Sequence, residues 1–169
     1  MTRTQNILLA LLGGAGALGL AGVLFAVSLP ADTAAAKPDP DLPLVTVYKN
    51  ATCGCCKDWI KHMQDNGFRV EAHDVGNLLP YKEQARLGAG MGSCHTAFVD
   101  GYALEGHVPA QDVKRLLTEK PAISGLAVPR MPIGSPGMEV PGQAADAYQV
   151  ISYKDGRETG VFSDYPAGQ

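Results

Sequence analysis

An excess of charge of either sign is missing from this 169-residue chain: 14 Lys and Arg stand against 17 Asp and Glu, for a net charge of -3. Without a basic excess there is no electrostatic footprint for nucleic acid. There is no internal repeat, which excludes a repeat array. Aromatic residues are few, and the single tryptophan, Trp59, reads as a core residue of a helix. Cysteine is scarce at four residues, but three of the four fall within Cys53-Gly54-Cys55-Cys56. What remains is an ordinary globular composition, 46% hydrophobic, on a chain long enough for one domain with a real core.

Charge is absent altogether from Ile7 to Leu29. Met1 to Asn6 before it is short and polar with one cation, Arg3. This is the pattern of an export signal. Two readings stay open. In one, Ala34-Ala35-Ala36 is a cleavage site and the mature chain starts near Lys37. In the other, the segment stays as a transmembrane anchor with its basic end inside. Residues 1–36 are thus a signal peptide or N-terminal membrane anchor, and 37–43 a Pro/Asp linker. The expected location is the periplasm, or the outer face of the inner membrane with membrane contact through this segment alone. Thiols can be oxidised there, and metals arrive from outside.

The rest divides into a core over 44–120 and an extension over 121–169. Leu44 to Tyr48 is rich in Val and Leu and reads as a buried strand. A helix opens at the cysteines and runs to about Asn66, where Gly67 stops it. Phe68 to Val75 alternates as a second strand. Asn77 can cap a helix carrying Leu78, Leu79, Tyr81, Ala85 and Leu87. Thr96 to Val99 and Tyr102 to Leu104 flank Asp100-Gly101, the strongest hairpin signal in the chain. Pro109 leads into a last helix, Ala110 to Thr118. The order βαβαββα is an α/β sandwich and looks thioredoxin-like, with the cysteines at the first strand–helix junction. After Lys120 the pattern stops in a Gly/Pro/Met loop, Pro121 to Gly142. Loops of that length cover something or move. Tyr148 to Tyr153 and Glu158 to Phe162 then read as a terminal hairpin, placed to extend the sheet or to pack over the cysteine face.

At a helix N-terminus the free N–H groups and the dipole favour thiolate. Cys53 and Cys56 have C-x-x-C spacing; Cys55 departs from a plain redox motif, because a third thiol invites scrambling. Cys94 and His95 precede the third strand, where such scaffolds keep a proline facing the C-x-x-C. Thiolates, thioethers and imidazole point to copper first, as Cu(I), and to zinc second. The candidate metal ligands are Cys53, Cys55, Cys56, Cys94, His95, His107, Met131 and Met138. Two alternatives remain. One is a pair of disulfides among the four cysteines. The other is a thiol-disulfide oxidoreductase in which Cys53 attacks and Cys56 resolves. His107 reads equally as a supporting group or a plain loop residue. His62 reads as a solvated residue on the polar side of the first helix, and His73 as a surface residue.

Seven segments together resemble one bacterial family. They are Val45 to Lys49, Thr52 to Cys56, Ser93 to Thr96, Val99 to Tyr102, Glu105 to Pro109, Gly125 to Pro129 and Met131 to Glu139. The chain resembles, from roughly Leu44 to Phe162, the 411 domain-of-unknown-function family of metal-binding proteins associated with copper and other metal resistance. The resemblance implies a thioredoxin-like fold and metal binding, adds weight to Met131 and Met138, and supplies no reaction. The expected function is exported soft-metal binding in periplasmic copper handling or resistance, non-enzymatic, with the metal ion as partner and another periplasmic copper protein as a further one.

Overall fold

In the computed structural model, which describes residues 37–168, β1 (Val45–Lys49) leads through a short turn into α1 (Gly54–Asp65). α1 buries Cys56, Trp59 and Met63, three and four positions apart, and so presents one apolar stripe. It ends at Asn66, and Gly67 follows at φ 91°, a left-handed exit that glycine takes without strain. β2 (Val70–Asp74) returns parallel to β1, which makes α1 the crossover of a βαβ unit.

α2 (Leu79–Gln84) is shorter than its apolar pattern, which ran on to Leu87. Arg86 turns the chain out at φ 52°. Asn77 accepts the Leu79 N–H at 3.0 Å, as an Asx turn at the helix entry. β3 (His95–Val99) runs antiparallel to β1, and β4 (Tyr102–Glu105) antiparallel to β3. Asp100 and Gly101 both sit at positive φ, 46° and 84°, as a two-residue hairpin turn needs. α3 (Ala110–Glu119) follows Pro109.

The loop expected after Lys120 contains β5 (Gly125–Ala127), parallel to β4. Three residues are too few to show a period. Gly125 is there because a Cβ would collide with the Ala103 carbonyl on β4. β6 (Tyr148–Lys154) pairs with β5, and β7 (Arg157–Tyr165) with β6. The terminal hairpin therefore extends the sheet, giving the order β2-β1-β3-β4-β5-β6-β7.

Successive strand residues face opposite sides. Leu104, Leu126 and Val150 join the main core with Trp59, Met63, Val113 and Leu116. Their neighbours Ala103, Ala127 and Ile151 join a smaller cluster with Ala85, at the end of α2, and Met91 in the loop after it. This is a thioredoxin-like sandwich with added C-terminal strands.

The transmembrane reading is corrected. Among the described residues no helix is long and apolar enough to cross a membrane. The stretch 7–29 and the cleavage motif at 34–36 lie outside the described residues.

Candidate metal centre

β1 ends one turn before Cys53, so the first turn of α1 lies at the end of the sheet. Cys53 is the N-cap residue and makes no side-chain capping bond, so the first N–H groups of the helix lack a side-chain acceptor there. β3 starts at His95, antiparallel to β1, with Lys49 opposite His95. Topology alone therefore brings Cys94 to the same end as the α1 cysteines. The Cys94 sulfur lies 3.5 Å from that of Cys56 and 3.8 Å from that of Cys55. Cys55 is 3.6 Å from Cys53. Cys53 and Cys56 are joined as a disulfide; Cys55 and Cys94 are free and half-buried.

All four sulfurs lie within 4.8 Å of one another, and so do the nearest donor atoms of Cys94, His95 and His107. A tetrahedral ion about 2.3 Å from each thiolate holds its sulfurs about 3.8 Å apart. The unbonded spacings of 3.5, 3.6 and 3.8 Å match that figure, whereas Cys53 and Cys56 are covalently joined.

The imidazoles of His95 and His107 are fully buried beside the sulfurs. His107 Nδ1–H donates to the Pro136 carbonyl at 2.8 Å, and this fixes the tautomer. The lone pair of Nε2 is left facing the Cys94 sulfur, 3.1 Å away. His95 places Nδ1 3.4 Å from the same sulfur. Its Nε2 is buried with no hydrogen-bond partner among the described residues, while its ring packs on Trp59 at 4.4 Å. Burial holds His95 well below its ordinary value, helped by His107 and Lys82. Burial likewise lowers His107, against the Pro136 carbonyl and Glu139. Burial, and after it Cys55, push the Cys94 thiol up to about 12. Neutral imidazoles are ready donors, and a protonated thiol releases its proton to a metal.

The late loop lies directly on this end. A Cβ on Gly137 would sit 2.8 Å from the Cys55 carbonyl and 2.7 Å from the Trp59 nitrogen, and its φ is 84°. Met131 is exposed at 48%, and Met138 is half-buried. His73 is partly exposed beside Glu71 and stacks on Tyr48. His62 is not merely solvated: its Nε2 accepts the Ala110 N–H at 3.0 Å, so it caps α3 from α1.

Sequence reasoning missed the residues that hold Cys94 in place. Glu105 is fully buried, accepts the Ser93 N–H at 2.6 Å and the Thr96 hydroxyl at 2.7 Å, and pairs with Lys82. An acid directly at the end of a short apolar strand was the available signal.

Fold and site together define a thioredoxin-like protein with a sulfur-rich pocket. Residues 91–138 match the family described as protein of unknown function, DUF411. Two solved structures, of copper resistance protein CopG in Form 1 and Form 2, are each 44% identical to the chain with a TM-score of 0.68. The match covers 75% of this chain in both cases, and 99% and 100% of theirs. The chain belongs to this CopG and DUF411 family. No curated protein matches it.

Proposed function

We propose that the protein is a periplasmic copper-binding protein of copper handling or resistance, and that it holds Cu(I) through Cys53, Cys55, Cys56 and Cys94. The relatives of known structure are copper resistance proteins. The observation that carries the reading is the Cys94 sulfur 3.5 and 3.8 Å from those of Cys56 and Cys55. In the pairing found here Cys53 and Cys56 are oxidised, so reduction precedes loading of the full sulfur set. Bound Cu(I) would take electron density from thiolate and imidazole. The chain supplies a buried wall, His107 with Nε2 aimed at Cys94, and His95 beside it. Met131 and Met138 are proposed as further thioether donors. The site is assigned to the core over 44–120, with the loop around Pro136 and Gly137 lying against it. Zinc is the second candidate, since closed zinc sites include Cys₃His sets. Another periplasmic copper protein is the proposed exchange partner.

A binding role is favoured over thiol-disulfide catalysis. Two further thiols within 4 Å of the C-x-x-C pair would scramble it during turnover. The segment facing the pair carries Cys94 and His95 in place of a proline.

The test is titration of the reduced protein with Cu(I) against a competing chelator, beside Cys94→Ser. Tight stoichiometric binding that Cys94→Ser loses supports the reading. Absence of binding, with disulfide reduction of insulin intact, overturns it. Zn(II) in the same assay ranks the two metals.

A further inference from the structure

We infer that Glu105 and Lys82 are positioning residues for Cys94: together they hold both backbone polar groups of Ser93, the residue before it. This rests on the copper-binding reading and names what sets the site's geometry. Met91 to Ser93 has no regular structure of its own, so the β3 ladder that begins at His95 holds Cys94 from one side only. Glu105, on β4, accepts the Ser93 N–H through Oε1 at 2.6 Å. Lys82, on α2, donates to the Ser93 carbonyl at 3.1 Å and pairs with Glu105 Oε1. Glu105 Oε2 accepts the Thr96 hydroxyl at 2.7 Å, so the peptide is gripped on both sides of Cys94. The carboxylate is fully buried and its ammonium 22% exposed. Ser93 also donates through its hydroxyl to the Arg130 carbonyl, and the Arg130 N–H donates to the Gly92 carbonyl at 3.0 Å. The late loop thus latches onto the segment that the ion pair fixes.

A buried ion pair is weak evidence of stability, since apolar isosteres often replace one at no loss. Two of its anchors here lie on the loop that must deliver a sulfur to within 4 Å of two others, and the third lies on β3 just past that sulfur. Partners hydrogen-bonded directly to metal ligands typically contribute about 10–100-fold in metal affinity, and this sets the scale for a clamp on the two neighbours of Cys94.

The experiment measures Cu(I) affinity by chelator competition, the ultraviolet thiolate-to-Cu(I) charge-transfer band, and urea stability. The proteins are wild type, Glu105→Gln, the paired Lys82→Met/Glu105→Leu, and Asp112→Asn. Asp112 is a buried carboxylate that bonds β7 to α3 instead. The inference expects about 10–100-fold weaker binding and an altered band in both site variants. It expects Asp112→Asn to lose stability with affinity and band unchanged. The paired variant leaves no buried charge unmatched, so it answers the question if Glu105→Gln does not fold. Wild-type affinity and band in a folded site variant overturn the inference and leave the copper-binding reading standing. Failure of wild type to bind overturns that reading instead, and this inference with it.

Discussion

The two sulfur-bearing segments reach one place by opposite means. Cys53 to Cys56 sit on a regular element: α1 is anchored by Trp59, Met63 and the indole N–H, which donates to the Val108 carbonyl at 2.9 Å. Cys94 sits on an irregular one, at the end of a loop held by Glu105, Lys82 and Arg130. The helix places its sulfurs through local backbone geometry and core packing. The β3 pairing brings the loop to that end of the sheet, and charge and hydrogen bonds from three separate parts of the chain fix its backbone there. The difference teaches that half of this pocket is built into the fold and half depends on a polar clamp.

The sharpest way to break the comparison is to remove a sulfur from each side. Cys94→Ser and Cys55→Ser should both weaken Cu(I) binding by more than the roughly 100-fold that supporting residues contribute. Chelator competition reads this. If only the Cys55 variant loses affinity, the loop segment is not part of the site.

Next in size is the contact where the late loop meets the helix. Gly137→Ala puts a Cβ 2.7 Å from the Trp59 nitrogen at a φ of 84°. Overpacking of that kind should cost about 1–3 kcal/mol in urea unfolding. Affinity for Cu(I) should fall too, because the Pro136 carbonyl that orients His107 moves with the loop. A Gly137→Ala protein of unchanged stability would show that the loop is not seated on α1.

The smallest effect is on pH. Burial lowers the pKa of His62, against the opposing charges of Glu139 and Asp65. Its Nε2 must stay unprotonated to accept the Ala110 N–H. The unfolded chain therefore binds the proton more readily. The contribution is present above the unfolded value of about 6.5 and is lost as pH falls through the lower folded value. His95 and His107, also lowered, act in the same direction in the metal-free protein. His62→Gln keeps an acceptor for the cap and removes one titration. Its stability should decline less steeply than wild type below about pH 6.5, by up to about 1 kcal/mol for a cap of this kind. Parallel acid limbs would contradict the cap.

Much of this fold was legible because local signals and topology agreed. The Val-rich β1, the α1 stripe and Asp100-Gly101 each dictate their conformation within a few residues. Pairing of β3 beside β1 then brings Cys94 to the α1 cysteines. Long-range features were not legible. β5 is three residues long and has no period. α2 stops early through Arg86, although its apolar spacing continues to Leu87. His62 gains its role from Ala110, 48 positions away, and Glu105 from Lys82 and Ser93. Such partners carry no mark in the local pattern. The Cys53–Cys56 pairing was one of several that four cysteines allow.

The most direct test of the account is X-ray absorption at the copper edge on the reduced, Cu(I)-loaded protein. The account predicts a sulfur-dominated first shell that loses sulfur in Cys94→Ser and in Cys55→Ser alike. A shell unchanged in Cys94→Ser would contradict it, because the two segments would then not share the ion.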